Sequence, residues 1–323
     1  MFYPLKFRPV FKEKVWGGSG LRDYLNKPCY GDKTGESWEI SDLPESESVV
    51  SEGIFSGLTL SDLIKRYKSD FTGSKVYEKF GNEFPLLIKF IDAADDLSVQ
   101  VHPDDYTAKR KHGKSGKHEL WYVIKADEDA ELISGLREDV SEDMFRRLLA
   151  ENRLETVLNT VRVSSGDVFY IPAGRIHALK KGVLLAEIQQ PSDVTYRLYD
   201  WNRKGLDGKP RSLHIEEALD VADLSACDTG KLNCNSEKNI FVGCLSSQYF
   251  TVNSLRFDRI TERDYSDIDS FVIYICIGGT FKLYYSDNDF VTVTSGETIL
   301  LPAVLKHIRL VPEVESSLLE VFV

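Results

Sequence analysis

Cysteine is scarce in this chain of 323 residues. The five cysteines are an odd number and include no C-x-x-C pair, so we expect neither a disulfide framework nor a cysteine-based zinc site. No apolar run approaches the ~20 residues of a membrane span, and the first residues lack the sections of a signal peptide. These absences predict a protein of the reducing cytoplasm that has no membrane partner.

Positive charge is also in short supply. Forty lysines and arginines stand against 51 aspartates and glutamates, which gives a formal net charge of −11. Because nucleic acids bind to basic surfaces, we expect no nucleic-acid partner. The sequence has no glycine-rich phosphate loop in a strand–helix setting and no G-x-S-x-G nucleophile elbow. A nucleotide cofactor is therefore unsupported.

Short runs of alternating apolar and polar residues dominate the chain. Gly, Pro and Asp separate them, which is typical of a β-sandwich or a β-barrel. We therefore predict a mainly β fold. The runs lie at 85–90, 97–101, 118–124, 167–171, 183–190, 271–285, 291–302 and 316–323.

Three segments have helical spacing and predict small helical insertions. The first lies near 59–80, with Thr59 as its expected N-cap. The second lies near 141–158, with Ser141 as its expected N-cap. The third, at 212–224, would connect two β units.

An internal repeat supports a division into two units. SSGDVFYIPAGRIH at 164–177 and TSGETILLPAVLKH at 294–307 share the order Gly, apolar run, Pro-Ala and His. The polar stretch at 225–238 has no periodicity and suits a boundary. We therefore predict an N-terminal domain over 1–230 and a C-terminal domain over 231–323.

Polar residues on the predicted strands point to a metal site. Side chains alternate along a strand, so Gln100 and His102 share one face of LSVQVHP, and the aliphatic residues occupy the other. By the same rule Lys117 and Glu119 share a face, and His177 follows a P-A-G turn. Two imidazoles, a carboxylate and an amide oxygen suit a divalent ion such as Zn²⁺. The alternative is that these residues form the solvated face of a sheet.

Other basic residues admit two interpretations each. Lys89 interrupts the apolar run PLLIKF, so it either reaches solvent or lines a polar cavity. Arg197 lies among aromatic residues in DVTYRLYDWNR and raises the same choice. The run KRKHGKSGK at 109–117 is either a solvated loop or the entrance for a phosphate or a sugar acid.

The stretch GDVFYIPAGRIH at 166–177 fits the second cupin motif, G-x5-P-x-G-x2-H, through its histidine. The C-terminal copy keeps Gly296, Pro302 and His307 but has Val304 in place of the second glycine. The chain therefore resembles a bicupin whose second unit has lost its metal site. The fold that this resemblance implies is mainly β, with two tandem cupin jelly-roll units and small helical insertions.

More specifically, the sequence resembles the type I mannose-6-phosphate isomerases in their short bacterial form. The resemblance is strong over residues 1–205 and weak beyond them. It implies one Zn²⁺ per chain, held by Gln100, His102, Glu119 and His177. The matching segments are VWGG (15–18), GESWEIS (35–41), PLLIKFIDA (85–93), LSVQVHPDD (97–105), GKHELWY (116–122), GDVFYIPAGRIHAL (166–179) and EIQQPSDVTYRLYDWNR (187–203).

The same resemblance implies a catalytic pocket and a substrate. Lys89, Lys117, Glu187 and Arg197 correspond to the family's pocket residues, and the reaction would interconvert mannose 6-phosphate and fructose 6-phosphate. An enediolate intermediate needs a base and an electrophile. Arg197 would stabilise the anion or hold the substrate, and Lys117 or Glu187 would move the proton. The phosphate would lie near Lys89 and the basic run.

Two other functions stay open on the sequence alone. The first is another metal-dependent cupin enzyme, such as an oxygenase or an epimerase. The second is a non-catalytic bicupin that binds a sugar phosphate. The ligand set also suits Mn²⁺ or Co²⁺, and the sequence leaves the oligomeric state open.

Overall fold

The computed structural model describes residues 2–234 and 237–323. Strands hold 39% of the residues and helices 16%, so the predicted mainly β class is confirmed. In chain order the strands are β1 (Leu5–Arg8), β2 (Val10–Gly18), β3 (Thr34–Ile40), β4 (Val49–Val50), β5 (Leu87–Ala93), β6 (Val99–Val101), β7 (Glu119–Ala126), β8 (Glu131–Leu136), β9 (Leu158–Arg162), β10 (Val168–Ile171), β11 (His177–Leu179), β12 (Val183–Gln189), β13 (Tyr196–Tyr199), β14 (Lys231–Leu232), β15 (Val242–Ser246), β16 (Thr251–Phe257), β17 (Thr261–Asp264), β18 (Val272–Gly278), β19 (Thr280–Tyr284), β20 (Phe290–Thr294), β21 (Thr298–Leu301), β22 (His307–Pro312) and β23 (Ser316–Phe322).

The helices are short and lie between strands. Within the described residues no helix is both long and apolar enough to span a membrane. They are α1 (Gly20–Leu25), α2 (Leu60–Tyr67), α3 (Ser69–Thr72), α4 (Ser74–Phe80), α5 (Asp105–His112), α6 (Glu142–Ala150), α7 (Ile215–Leu219) and a single 3-10 turn (Leu154–Thr156).

Side-chain caps start three of these helices. Thr59 accepts a hydrogen bond from the Asp62 amide and donates its own amide to that carboxylate, while Ser141 caps α6. Both predicted N-caps are confirmed. Asp104 caps α5 in the same way, and Gly113 ends it in the left-handed conformation. The loop interpretation of the basic run is therefore wrong over its first four residues, which are helical.

The strands form four antiparallel sheets that stack as layers. Sheet 1 has the order β14-β10-β7-β12-β5-β3-β2, and sheet 2 has the order β13-β6-β11-β8-β9. Sheet 3 has the order β15-β16-β23-β18-β21-β1-β4, and sheet 4 has the order β17-β22-β19-β20.

Three apolar layers hold the sheets together. Sheets 1 and 2 enclose a cluster that includes Trp121 and Leu132, and sheets 3 and 4 enclose one that includes Phe281. The largest cluster lies between sheets 1 and 3, where Phe90 packs in the same core as Ile273. Burying each such side chain contributes about 1.5–3 kcal/mol. That face of sheet 1 is thus covered by sheet 3.

Some strands pair with strands that are distant in the sequence. Near the N-terminus, β1 pairs with β21 through Leu5 and Leu300, while β14 joins sheet 1 beside β10. The division into residues 1–230 and 231–323 stays a prediction.

Two cysteines lie side by side: the Cα atoms of Cys234 and Cys244 are 4.7 Å apart, a separation that a disulfide can bridge. A single pair of neighbouring cysteines is not a disulfide framework, so the expectation from the sequence stays a prediction. The cytoplasmic location stays a prediction.

Candidate metal centre and cleft

Strands from two facing sheets bring the predicted ligands together. In sheet 2, His177 at the start of β11 lies opposite Gln100 of β6, and His102 follows that strand by one residue. In sheet 1, Glu119 is the first residue of β7. His177 Nε2 lies 3.3 Å from Glu119 Oε1, and His102 Nε2 lies 3.7 Å from Oε2. The ligand atoms of the two histidines and Glu119 all lie within 4.8 Å of one another.

Both histidines present an unprotonated nitrogen to this centre. The Nδ1 atom of His102 lies 2.9 Å from the Val194 carbonyl, and that of His177 lies 2.8 Å from the Arg175 carbonyl. A carbonyl only accepts, so each Nδ1 donates, and each Nε2 keeps its lone pair. Burial lowers the pKa of His177 to about 3, and burial with Lys117 holds the pKa of His102 well below its usual range. Histidines that bind a metal ion are commonly fixed in the same way, by a group that accepts a hydrogen bond from the other ring nitrogen.

Glu119 is a carboxylate with no adequate partner. It is fully buried, and no donor in the described part of the chain makes a well-directed hydrogen bond to either oxygen. The Lys117 ammonium lies 3.0 Å from Oε2, but burial still raises the pKa of Glu119 to about 7. A buried unsatisfied carboxylate is costly. The donor set therefore fits a divalent cation, which would satisfy both oxygens.

Gln100 completes this set through its side-chain amide. Its Nε2 lies 3.3 Å from Nε2 of His177. Rotating the side-chain amide of Gln100 by a half-turn exchanges its oxygen and nitrogen. In the rotated orientation Oε1 would face His177. Gln100 can therefore offer an oxygen to a cation between the rings.

Lys89 and Lys117 flank a second buried carboxylate. Lys89 Nζ donates to Glu187 Oε1 at 2.8 Å, and the Trp121 indole donates to Oε2 at 3.1 Å. Burial opposes ionisation, but Lys89 and Lys117 outweigh it and hold the pKa of Glu187 at about 2. Burial alone would lower the pKa of Lys117, yet Glu119 and Glu187 raise it above its ordinary value. In the metal-free protein, Glu187 is thus a carboxylate and Lys117 is an ammonium.

A cleft of about 160 Å³ lies next to these groups. Gln100 and Lys117 line the cleft, and Glu119 and both histidines are buried in contact with them. All four predicted pocket residues line it as well. The other lining residues are Lys14, Trp16, Glu36, Trp38, Ile91, Leu97, Ser98, Trp121, Leu179, Asp193, Thr195 and Arg211.

One wall of the cleft alternates in charge from strand to strand. Lys14 of β2 lies 3.0 Å from Glu36 of β3, whose other oxygen accepts from the Trp38 indole at 2.7 Å. The ammonium of Lys89 lies over that indole, 5.1 Å from its centre, and pairs with Glu187 of β12. Lys14 and Glu36 were not among the predicted site residues, although Glu36 lies within the segment GESWEIS and strand alternation places it on the face of Trp38.

Arg197 of β13 stands on the opposite wall. Its Nε donates to Ser98 Oγ at 3.2 Å, and Nη1 donates to the Ser212 carbonyl at 3.0 Å. Burial and nearby Arg211 lower the pKa of Arg197. Arg211 was not among the predicted site residues; it lies beyond the last matching segment and pairs with Asp200, 11 residues earlier.

Most of the basic run lies away from the cleft. Lys111 pairs with Asp220 and Lys114 with Asp193, each at 2.6 Å. Of the residues at 109–117, only Lys117 lines the cleft. Lys114 nevertheless contacts a lining residue of the cleft, Asp193, so the interpretation of the run as an entrance stays a prediction.

Comparison with known proteins identifies the family. The family model "Phosphomannose isomerase type I, catalytic domain" matches residues 5–146. The chain is 36% identical over 304 residues, 93% of each chain, to YvyI of Bacillus subtilis (strain 168), which is assigned to the mannose-6-phosphate isomerases. The chain belongs to the type I phosphomannose isomerase family. The resemblance seen in the sequence is confirmed.

This chain is also similar to other proteins and solved structures. The mannose-6-phosphate isomerase of Streptococcus mutans is 42% identical over 221 residues, which is 68% of each chain. The crystal structure of the Bacillus subtilis mannose 6-phosphate isomerase aligns over 100% of both chains, with a TM-score of 0.90 and 33% identity. A solved structure from Archaeoglobus fulgidus, at 22% identity and a TM-score of 0.79, shows the same fold.

Proposed function

We propose that this chain is a metal-dependent aldose–ketose isomerase that interconverts mannose 6-phosphate and fructose 6-phosphate. One observation carries the proposal: two neutral buried histidines and an unsatisfied buried carboxylate converge next to a cleft lined by acid–base groups. Family membership supports the choice of substrate. The fold alone would not, because cupin folds host many activities.

We infer that Gln100, His102, Glu119 and His177 hold one Zn²⁺ per chain. When bound, the ion supplies positive charge that polarises sugar oxygens next to the reacting carbons. The chain keeps the ligands ordered through the Val194 and Arg175 carbonyls, which fix both rings.

Isomerisation moves a proton between two neighbouring carbons, one of which carries the carbonyl. Glu187 is the candidate to take that proton, because it is already ionised and reaches the cleft. Lys117 is the alternative, as an ammonium that protonates an oxygen or as a base once its charge is lost. Lys89 keeps Glu187 anionic through their 2.8 Å contact. Substitution of Glu187 separates the two roles.

The phosphate fits the wall that carries Arg197 and Arg211. Both arginines line the cleft, and Arg197 lies on a strand of sheet 2, whereas Lys89 and Glu187 lie on strands of sheet 1. A guanidinium group donates charge-assisted hydrogen bonds to phosphate oxygens. This placement differs from the sequence-based one at the basic run, whose Lys111 pairs with Asp220 and whose Lys114 pairs with Asp193.

A coupled assay with mannose 6-phosphate tests the proposal. The metal-replete protein should form fructose 6-phosphate without oxygen, and a chelator should abolish turnover that added Zn²⁺ restores. Glucose 6-phosphate and free mannose serve as comparison substrates. Failure of the metal-replete protein to turn over mannose 6-phosphate would favour a sugar-phosphate-binding bicupin, while a requirement for oxygen would favour an oxygenase.

A further inference from the structure

Asp200, three residues beyond Arg197, is buried at 5% exposure and lies between two guanidinium groups. Its carboxylate accepts from Arg203 Nε and Nη2 at 3.2 and 3.1 Å. It also accepts from Arg211 Nε at 2.7 Å and from Arg211 Nη2. Bonds between ionised partners are among the stronger hydrogen bonds in proteins.

Asp200 and Arg211 flank a hairpin at 201–210. Gly205 donates its amide to the Lys209 carbonyl at 2.7 Å, and Lys204 bridges to Pro210. Trp201 enters the hairpin with φ of 54°, in the left-handed region that bulky residues rarely adopt. Such a conformation persists where the surroundings hold it. The Asp200–Arg211 ion pair joins the two ends of the hairpin at its base.

The segment that leaves the hairpin orients Arg197. His214 donates its amide to the Arg197 carbonyl at 2.8 Å and accepts the Arg197 amide on Nδ1 at 3.2 Å. The Ser212 carbonyl accepts from Arg197 Nη1 at 3.0 Å. The position of residues 211–214 therefore sets the direction of the Arg197 guanidinium.

We propose that Asp200 is a positioning residue: by binding Arg211, it holds that guanidinium and the segment 211–214 in place, so that Arg197 and Arg211 together form an anion site on the cleft wall. Asp200 itself is not among the residues that line the cleft. The nature of the anion, the phosphate of a sugar phosphate, rests on the proposed function.

The charges around this wall are consistent with an anion site. Arg203 and Arg211 both bind the buried carboxylate of Asp200, and Arg197 adds a third positive charge near it. Two further carboxylates lie nearby, but Asp95 lies 3.4 Å from Arg203 and Asp193 pairs with Lys114. Positive charge therefore exceeds negative charge next to the cleft.

Asp200→Asn tests the proposal in two measurements. The amide keeps one acceptor but loses the charge and the bidentate contact, so the Kd for inorganic phosphate, measured by calorimetry, should rise by about 10- to 100-fold. In the coupled assay the KM for mannose 6-phosphate should rise by a similar factor, with kcat changed less. A role confined to stability would reduce the active fraction and hence the apparent kcat, and would leave KM and the phosphate Kd unchanged.

Two further variants separate this role from general damage to the hairpin. Arg203→Gln removes a partner of Asp200 but keeps the Asp200–Arg211 pair, so the KM should stay within about threefold. Asp200→Glu retains the charge on a longer side chain and should raise KM by a smaller factor than Asp200→Asn does. It replaces Asp200→Asn in both measurements if the asparagine variant does not fold.

The outcomes also separate this inference from the proposed function. Phosphate binding that weakens in Asp200→Asn supports the positioning role even if mannose 6-phosphate is not turned over. Equal phosphate Kd values in the wild type and in Asp200→Asn, or equal effects of Asp200→Asn and Arg203→Gln, would overturn it. Absence of phosphate binding to the wild type would overturn it as well.

Discussion

Replacing Lys89 by methionine tests whether the buried carboxylate in the cleft depends on its partner. Lys89 donates to Glu187 at 2.8 Å and to Gln189 at 2.6 Å, and both charged groups are almost fully buried. Lys89 and Lys117 outweigh the effect of burial and hold the pKa of Glu187 at about 2, against an ordinary value of 4.5. That difference corresponds to about 3 kcal/mol of stability at neutral pH.

Methionine leaves Glu187 buried without its main partner. Because Lys117 remains nearby, we expect the free energy of unfolding to fall by about 2–3 kcal/mol near pH 7. A carboxylate whose folded pKa is depressed contributes stability above its unfolded pKa and loses it as the pH falls through the folded value. The difference between wild type and Lys89→Met should therefore narrow below about pH 4.5.

Urea denaturation of the metal-free protein near pH 7 and near pH 4 measures both quantities. Lys12→Met is the matched control, since Lys12 also lies over the Trp38 ring, at 5.0 Å, but donates to Ser46 and not to a carboxylate. Adding Glu187→Gln to Lys89→Met removes the unpaired charge and should recover part of the loss. A Lys89→Met protein as stable as the wild type near pH 7, or a difference independent of pH, would refute this reasoning.

Three further predictions concern catalysis and stability. Glu187→Gln should lower kcat by about 10²- to 10⁴-fold in the coupled assay with little change in KM, and an effect on KM alone would argue for Lys117 as the base. Arg197→Lys keeps the charge but loses the fork, so KM should rise about tenfold, and unchanged kinetics would remove Arg197 from the site. Burial raises the pKa of Asp42 from 3.8 to about 6, so its ionisation costs stability that grows as the pH rises from 3.8 to about 6 and is complete above it. Asp42→Asn keeps an acceptor for the Phe84 amide and should stabilise the protein by about 1 kcal/mol near pH 7 but not near pH 4; thermal melts at both pH values that show no gain near pH 7 would contradict this.

Strand alternation made part of the site predictable. It placed Gln100 with His102, and Lys117 with Glu119, because the two-residue period is a local property of the backbone. The meeting of His177 with Gln100 depends on the pairing of β11 with β6, and alternation within one strand carries no information on that pairing. There the resemblance to a known family supplied what local patterns could not.

Other features depend on contacts between distant segments. Lys14, Glu36 and Arg211 are charged residues of a kind that usually faces solvent, and only their folded partners mark them as part of the cleft. The pairing of β1 with β21 joins residues near the two ends of the chain. Helix α5 is different, because its N-cap Asp104 and its final Gly113 were both visible, but its charged run has no apolar stripe.

Metal content and turnover, measured on the same samples of wild type and Glu119→Ala, test the central claim most directly. After chelation and titration with Zn²⁺, the wild type should bind one equivalent per chain, and turnover of mannose 6-phosphate should rise in proportion to bound metal. Glu119→Ala should lose both, because it removes the carboxylate of the ligand set. Full activity in the metal-free wild type, or a Glu119→Ala protein that keeps one metal ion and full turnover, would contradict the account.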